Sequence, residues 1–339
     1  MPAHFGLDIG SYSLKLIQAK KEKKGYRLET FGEVRTPVDL QSGADRDKVA
    51  LVEAIKKLVA DCKTRSRDVA ISLPETEVFS QVIELPVLSR TELASAIKLE
   101  AEQYIPVPLE EVQLEHVVLN GSSESKKSGK MEILLIGARK QALDKRVNIL
   151  QEAGLTPIAA ETDLFSLVRS LPFDSQKTSL LLDVGFKSTN IAVVQKQNLR
   201  FIRTIKTGGE ALTRAVAKSL NMEFNQAEQY KVNYGLDRSQ LEGKVAAALE
   251  TVFSVILQEV RRSQAFFSQN NPNQQIDLLV LSGGGAELPG LSGFLAKAFN
   301  LEVIVADPFV NFIKDEKFPK IKGVPRFSVA VGLSLRSND

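Results

Sequence analysis

The chain alternates short apolar runs with polar turns, and one such unit occurs twice. Phe5 to Ile17 (FGLDIGSYSLKLI) and Leu180 to Val194 (LLLDVGFKSTNIAVV) each run as an apolar strand ending in Asp, then Gly, a short turn and a second apolar strand. This pattern predicts two hairpins in the same register. After the first come a strand over Tyr26–Val34 and an amphipathic helix over Arg46–Cys62, with Val49, Val52, Ile55 and Val59 at helical spacing and Leu51 and Leu58 widening the stripe. Asp68–Leu73 reads as a buried strand ended by Pro74.

Val78–Leu85 alternates as a strand. Ser89 with Glu92 three residues on forms a capping box for a helix to about Tyr104, with Leu93, Ala96, Ile97, Glu100 and Ala101 at helical spacing and Pro106 and Pro108 beyond it. Val112–Leu119 and Met131–Ala138 are expected to pair, joined by a Ser/Lys/Gly loop over Asn120–Lys130 that is expected to be mobile. A helix over Gln141–Ala153, stopped by Gly154, and a strand over Thr156–Ala160 complete an expected insert over 78–160.

In the second half, Asp163–Leu171 is a short helix, Leu199–Ile205 a strand, and Thr207 the expected cap of a helix running through Gly208, Gly209 and Glu210 to Leu220. A helix over Asn225–Tyr234 ends at Gly235. A long one over Leu241–Gln269 places Arg261 and Arg262 where they would favour its dipole. The strand Ile276–Leu281 is expected to turn through Ser282–Gly285 into a helix over Leu291–Phe299, and Phe327–Arg336 forms a small-residue helix.

Composition narrows the class. The 339 residues exceed a typical single domain, and 43% hydrophobic with 25% charged residues describes an ordinary globular protein. The net charge is only +3, with basic residues spread along the sequence, which gives no case for nucleic acid. Cys62 is the one cysteine, so no intrachain disulfide forms, and the two histidines, His4 and His116, stand far apart without metal-ligand spacing. Neither a signal peptide nor an apolar run long enough to span a bilayer is visible. The expected location is the cytosol, with membrane association only through a partner.

The repeated hairpin carries the candidate chemistry. Asp8 and Asp183 at strand ends suit a hydrated Mg²⁺, reached through water. Gly10 and Gly185 allow the tight turns. The turn N–H groups, with the hydroxyls of Ser11, Ser13, Ser188 and Thr189, suit an anion. Two such hairpins could hold one polyphosphate from both sides. Gly283, Gly284 and Gly285 follow a buried strand and leave the backbone open to close approach by a nucleotide, although a GGG run also serves as a flexible turn. Glu228 and Lys231 share a helix face, where a surface ion pair is the rival to a ligand contact.

The order of these parts resembles the actin/hexokinase/heat-shock ATPase superfamily. The segments GLDIGSYSLKL, ELPVLSRTELASAIKLEAEQYIPVPLEEV, LLDVGFKSTNIAVV, AEQYK, RRSQAFF, LSGGGAELPGL and FSVAVGLSLR resemble the PilM family of type IV pilus proteins, relatives of the division protein FtsA. The likeness covers nearly the whole chain, and the E-x-E-x-Y-I-P-x-P helix is its most specific part. It implies an α/β, actin-like ATPase fold: two ribonuclease-H-like lobes with a small α+β insert subdomain in the first. The lobes would be 1–77 with 161–177 and the returning helix 326–339, and 178–325, with the insert at 78–160. It also implies ATP and Mg as cofactors, bound between the lobes.

In that comparison Lys15 takes the place of a phosphate-facing lysine, with a solvated strand lysine as the alternative. Gly185, Lys187, Ser188 and Thr189 would wrap the distal phosphates. Gly208 and Gly209 would begin a helix near the phosphates, Glu210 would reach the ribose, and Glu228 and Lys231 the ribose and adenine. The residue orienting a hydrolytic water would fall near Glu161 and Asp163, which alternatively cap their helix. The implied partner is the cytoplasmic N-terminal peptide of a PilN-like inner-membrane protein, in a groove between the insert and the first lobe near Glu100, Glu102, Tyr104 and Ile105. Self-association is a further expectation. Rival readings are an FtsA-like division filament, disfavoured because Arg336–Asp339 adds no amphipathic tail, and a small-molecule kinase, for which the insert offers no catalytic Asp.

Overall fold

A computed structural model describes residues 4–40, 44–119, 129–272 and 274–337. Most of the Asn120–Lys130 loop lies outside the described residues. The first sheet has the order β3-β2-β1-β4-β8, built from β1 (Phe5–Ile9), β2 (Ser13–Glu22), β3 (Gly25–Arg35), β4 (Asp68–Leu73) and β8 (Thr156–Thr162). The second repeats it as β11-β10-β9-β12-β13, from β9 (Thr178–Val184), β10 (Thr189–Gln195), β11 (Asn198–Ile205), β12 (Leu278–Ser282) and β13 (Glu302–Val305). In both, the hairpin partners are antiparallel and the next two strands parallel. These are the two lobes of an actin-like fold.

Helix α1 (Asp45–Cys62) buries Leu51, Val52, Ile55 and Leu58 against Leu7, Leu14, Leu16 and Ile71 of the first sheet. Val49, expected on this stripe, is 60% exposed, because the buried arc is centred on Leu51 and Ile55. The third sheet, β5-β7-β6, consists of β5 (Val78–Pro86), β7 (Lys130–Arg139) and β6 (Val112–Val118). Helix α2 (Arg90–Tyr104) packs Leu93, Ile97 and Ala101 on it and starts at the Ser89/Glu92 capping box. The last two elements expected in the insert lie elsewhere. Helix α3 (Lys140–Glu152) sends Ile149 and Leu150 into the first-lobe core, and β8 pairs in parallel with β4. A short strand after a helix does not reveal from sequence which sheet it joins.

In the second lobe, helices α5 (Gly209–Leu220), α6 (Phe224–Tyr234) and α7 (Lys244–Asn270) share a core with β9, β10 and β12. Thr207 does not cap α5. Its N-cap is Gly208, and the Thr207 carbonyl instead accepts from Thr189 Oγ1 at 2.7 Å. Arg261 and Arg262 fall short of the last turn of α7. Arg262 pairs with Glu259 at 2.6 Å and Arg261 lies over Phe299. The GGG run enters a 3-10 turn, Gly284–Glu287, before α8 (Leu291–Phe299) begins.

Two helices join the lobes. Helix α4 (Asp163–Ser170) leads from β8 to β9, and α9 (Ser328–Ser334) comes back against β1. They cross at Gly332, where a Cβ would stand 1.7 Å from the Ser166 carbonyl oxygen. Only glycine permits that approach, so the small-residue pattern of the last helix reports a helix crossing.

Candidate functional site

The two hairpins face each other across a cleft of about 590 Å³. The wall includes Asp8, Gly10, Ser11, Ser13 and Lys15 from the first hairpin and Asp183, Gly185, Lys187 and Ser188 from the second. Gly209, Glu210, Glu228, Lys231, Gly283, Gly284, Gly285 and Asp163 complete the set of expected residues found there. Thr189, Gly208 and Glu161 do not line it.

Strand register makes the two aspartates equivalent in backbone and different in chemistry. Asp8 lies opposite Lys15, and Asp183 lies opposite Asn190. Lys15 Nζ donates to Asp8 Oδ2 at 3.0 Å, whereas Asp183 Oδ2 accepts an amide hydrogen bond from Asn190 at 3.2 Å. Burial therefore pushes Asp183 up to about 6, against the hydrogen bond from Asn190 and with the Asp8 charge adding to the rise. Burial, then Asp8, also hold Asp163 well above the usual carboxylate range, with a hydrogen bond from Ser72 opposing. Three acids crowd here with one lysine, a balance that a divalent cation would correct. No group of three or more potential metal ligands is preassembled among the described residues.

The glycine turn supplies bare backbone. Gly283 sits at φ +79°, and a Cβ there would come within 2.6 Å of the Val184 carbonyl oxygen and 2.8 Å of Asp183 Oδ1. At Gly284 a Cβ would meet nothing within 4 Å. The first glycine is a folding requirement, while the second leaves open space on the cleft wall.

Several expected contacts are already engaged within the protein. Gly209 and Glu210 donate their backbone N–H groups to the Gly185 and Phe186 carbonyls at 2.8 and 2.9 Å, fastening α5 to the second hairpin. Gly208 packs beneath that junction, where a Cβ would lie 2.5 Å from the Gly185 carbonyl oxygen. Burial opposes ionisation of Glu210, but hydrogen bonds from Arg214 and Lys187 hold its carboxyl below the usual range. Lys231 is buried and donates to Glu228 at 2.7 Å, Thr213 at 2.9 Å and the Gly209 carbonyl at 3.2 Å. Burial lowers its pKa, with Glu228 opposing. The pair is a buried tie between α5 and α6 at the cleft wall, in place of a surface ion pair. Ser13 Oγ donates to Glu33 at 2.6 Å.

Glu161 is withdrawn from the cleft by Arg169, which it meets through both carboxylate oxygens, by Ser166 Oγ at 2.6 Å and by Arg336 at 3.2 Å. Of the two acids named for water positioning, Asp163 is the one at the cleft.

Sequence reasoning missed the groups that bridge the two walls. Tyr12 and Phe186, at the hairpin tips, meet at a tilt with 5.1 Å between ring centroids, and the Arg35 guanidinium covers Tyr12 at 3.9 Å. Lys187 reaches Asp39 at 3.4 Å as well as Glu210 at 3.0 Å. Arg326 joins Glu33 at 3.4 Å to Glu287, which it holds through two bonds at 2.8 and 2.6 Å. The aromatic residues inside both turns were a visible signal. The charges, far apart in sequence, were not.

A second cavity, of about 290 Å³, lies beside the third sheet. Its wall includes Phe79, Ser80, Tyr104 and Ile105, with Ile202 and Thr204 of the β11 edge opposite. Ala101 and Ile105 are buried, whereas Tyr104 is 46% exposed at the mouth. Glu75 also lines the cavity: its carboxylate is buried, accepts from Ser80 Oγ at 3.3 Å and the Leu164 N–H at 3.4 Å, and is raised by burial, with hydrogen bonds from Thr162, Leu164 and Ser80 opposing.

The family described as "Type IV pilus assembly protein PilM" matches residues 6–338. A solved PilM-PilN type IV pilus biogenesis complex is similar at 28% identity and a TM-score of 0.87, covering 98% of each chain. MreB5 of Spiroplasma citri, solved bound to ADP, is 13% identical with a TM-score of 0.53 over 97% of this chain and 94% of its own, a likeness of fold alone. The cell division protein FtsA of Neisseria meningitidis serogroup B is 28% identical over 180 residues, 45% of this chain. This chain spans 41% of the length of that relative.

Proposed function

The chain belongs to the PilM family of type IV pilus assembly proteins, and on that premise we propose that it is an ATP-binding scaffold that receives the cytoplasmic N-terminal peptide of a PilN-like inner-membrane protein. The observation that carries the nucleotide half of this reading is the pair of D-x-G hairpins facing one another across a single cleft with an uncompensated acidic floor. Asp8 and Asp183 would hold Mg²⁺ through water, with Asp163 beside them. The turns at Gly10–Ser13 and Gly185–Ser188 would bind the phosphates, and the bare backbone at Gly284 would lie against the nucleotide. Bound Mg²⁺ would supply positive charge against the phosphates and the three acids alike.

For the peptide, the second cavity is the receiving groove. It combines apolar wall, an exposed tyrosine and a buried carboxylate, which suits an extended segment carrying apolar side chains and an N–H donor. One wall is the insert, and the other includes the second-lobe edge strand β11 in place of the first lobe that sequence reasoning named, so lobe closure would change its width. The solved relative that contains PilN supports this choice of partner. Recruitment to the inner face of the inner membrane would then come through the partner. Among the described residues no helix is long and apolar enough to cross a membrane.

The test is calorimetric titration of a PilN-type N-terminal peptide into the full chain, with and without Mg-ATP. Peptide binding altered by nucleotide is the expected result and makes ATP a population-shifting ligand. Binding indifferent to nucleotide would keep the scaffold and remove the switch. Absence of peptide binding by folded protein in both conditions would overturn the reading.

A further inference from the structure

Two lysine runs that are nearly 300 residues apart in sequence meet at one end of the first lobe. The β2–β3 hairpin tip carries Lys20, Lys21, Lys23 and Lys24, and the segment between Val310 and Gly323 carries Lys314, Lys317, Lys320 and Lys322; all eight are exposed. Backbone bonds fix the juxtaposition: the Tyr26 N–H donates to Asn311 O at 3.0 Å and the Ile313 N–H to Tyr26 O at 2.8 Å. Arg27 then joins the runs, donating to Glu22 at 2.7 Å and to Asp315 at 2.8 Å. Arg27 is first among the causes that hold both acids below the usual carboxylate range, with Lys20 assisting at Glu22 and Lys317 at Asp315.

With Arg27, Glu22, Asp315, Glu316 and Asp307, which Lys314 meets at 2.8 Å, this face holds nine basic and four acidic residues, a net +5 on a chain whose total is +3. The rest of the molecule is therefore net acidic, and the charge separation is a property of the fold. We propose that this basic face is a docking surface for an anionic phospholipid membrane.

Its chemistry selects that partner. Eight of the nine cations are lysines, compact hydrated charges suited to a diffuse anionic surface rather than to bidentate recognition. The aromatic residues nearby, Tyr26, Phe312 and Phe318, pack inward and offer no platform for base stacking, whereas Val310 is exposed beside the lysines. An exposed hairpin tip with a flanking exposed segment can meet a plane. The face also leaves the cleft free: Ser13 marks the cleft end of β2, and Lys20 lies about 23 Å along the strand at ~3.3 Å per residue. The inference goes beyond the partner-peptide reading and does not depend on it.

The experiment is sedimentation of the full chain with vesicles of phosphatidylcholine alone and with roughly a third phosphatidylglycerol, at about 50 mM and about 200 mM salt. The expected result is binding to the anionic vesicles only, weakened by salt. It should fall by about a hundredfold or more in K20E/K21E/K23E/K24E and markedly in K317E/K320E/K322E, both checked for folding by thermal melting. A variant that fails to fold is replaced by the corresponding Lys→Gln set. Failure of the wild type to bind anionic vesicles at low salt overturns the proposal, as does equal binding to neutral vesicles or binding that survives in either variant. Tighter binding to duplex DNA or RNA, lost in the same variants, overturns it in favour of nucleic acid.

Discussion

The two hairpins share sequence pattern, register and sheet position, yet they bring different electrostatics to the cleft. The first delivers a carboxylate already paired with a lysine, Asp8 with Lys15. The second delivers Asp183 against an amide, and its carboxyl rises to about 6. A repeated backbone therefore provides two similar turns but only one internally compensated acid. The shortfall in positive charge lies on the second-lobe side and at Asp163, where a cation would gain most. Repetition of a motif locates a site, and the residue facing each motif across the ladder decides what the site does.

The comparison is broken most severely by removing the compensation in the first hairpin. Lys15→Asn copies the second hairpin and strands Asp8 in a buried site, with an expected loss of about 3–5 kcal/mol in urea unfolding at neutral pH. Next comes the support unique to the second hairpin. Gly283→Val meets both a positive φ and the Val184 carbonyl, so about 3 kcal/mol and nucleotide binding should be lost together. Gly284→Ala should change stability by less than about 0.5 kcal/mol in the same assay.

The converse exchange, Asn190→Lys, gives Asp183 the lysine that Asp8 has. In the wild type the folded pKa of Asp183, about 6, lies above its unfolded value near 4. The folded protein thus holds the extra proton between those values, and this group's contribution is present at low pH and lost as pH rises through 6. Between pH 5 and 7.5 that amounts to about 1–2 kcal/mol of lost stability, and Asp163 acts in the same direction. The variant should flatten this part of the pH profile, measured as the difference in urea midpoints, and should weaken Mg²⁺ binding by isothermal titration. An unchanged profile would refute the assignment of the shift to Asp183.

A smaller effect concerns the tips themselves. Tyr12→Ala removes the contact with Phe186 and the Arg35 overlay, worth about 1 kcal/mol. Because the chain has no tryptophan, Phe186→Trp gives a single reporter. Its emission should become more accessible to acrylamide when Tyr12 is also replaced.

Much of the site could be seen in the sequence because its residues are local to two short turns. Asp, Gly and the apolar strands around them fix the hairpins through alternation and turn chemistry, and the GGG run follows its strand directly. The wider groups could not be seen this way. Glu161 looked like a partner of Asp163 from proximity alone, but the strand ends at Thr162 and Asp163 already belongs to α4, so strand alternation does not carry across, and Glu161 turns to Arg169 and Arg336. The start of α5 was expected beside the phosphates, but the Gly209 and Glu210 N–H groups donate to the second hairpin's carbonyls.

By itself the sequence determined the hairpins, most helices with their stops, the capping box at Ser89 and the family to which the chain belongs. These depend on periodicity and on residues within a few positions of one another. The tertiary structure alone decided which sheet received β8, how β13 completed the second lobe, which aspartate lacked a cation, and that lysines spread along the chain share one face. Each depends on which distant residue comes to stand opposite, and packing and strand pairing set that contact only when the whole chain folds.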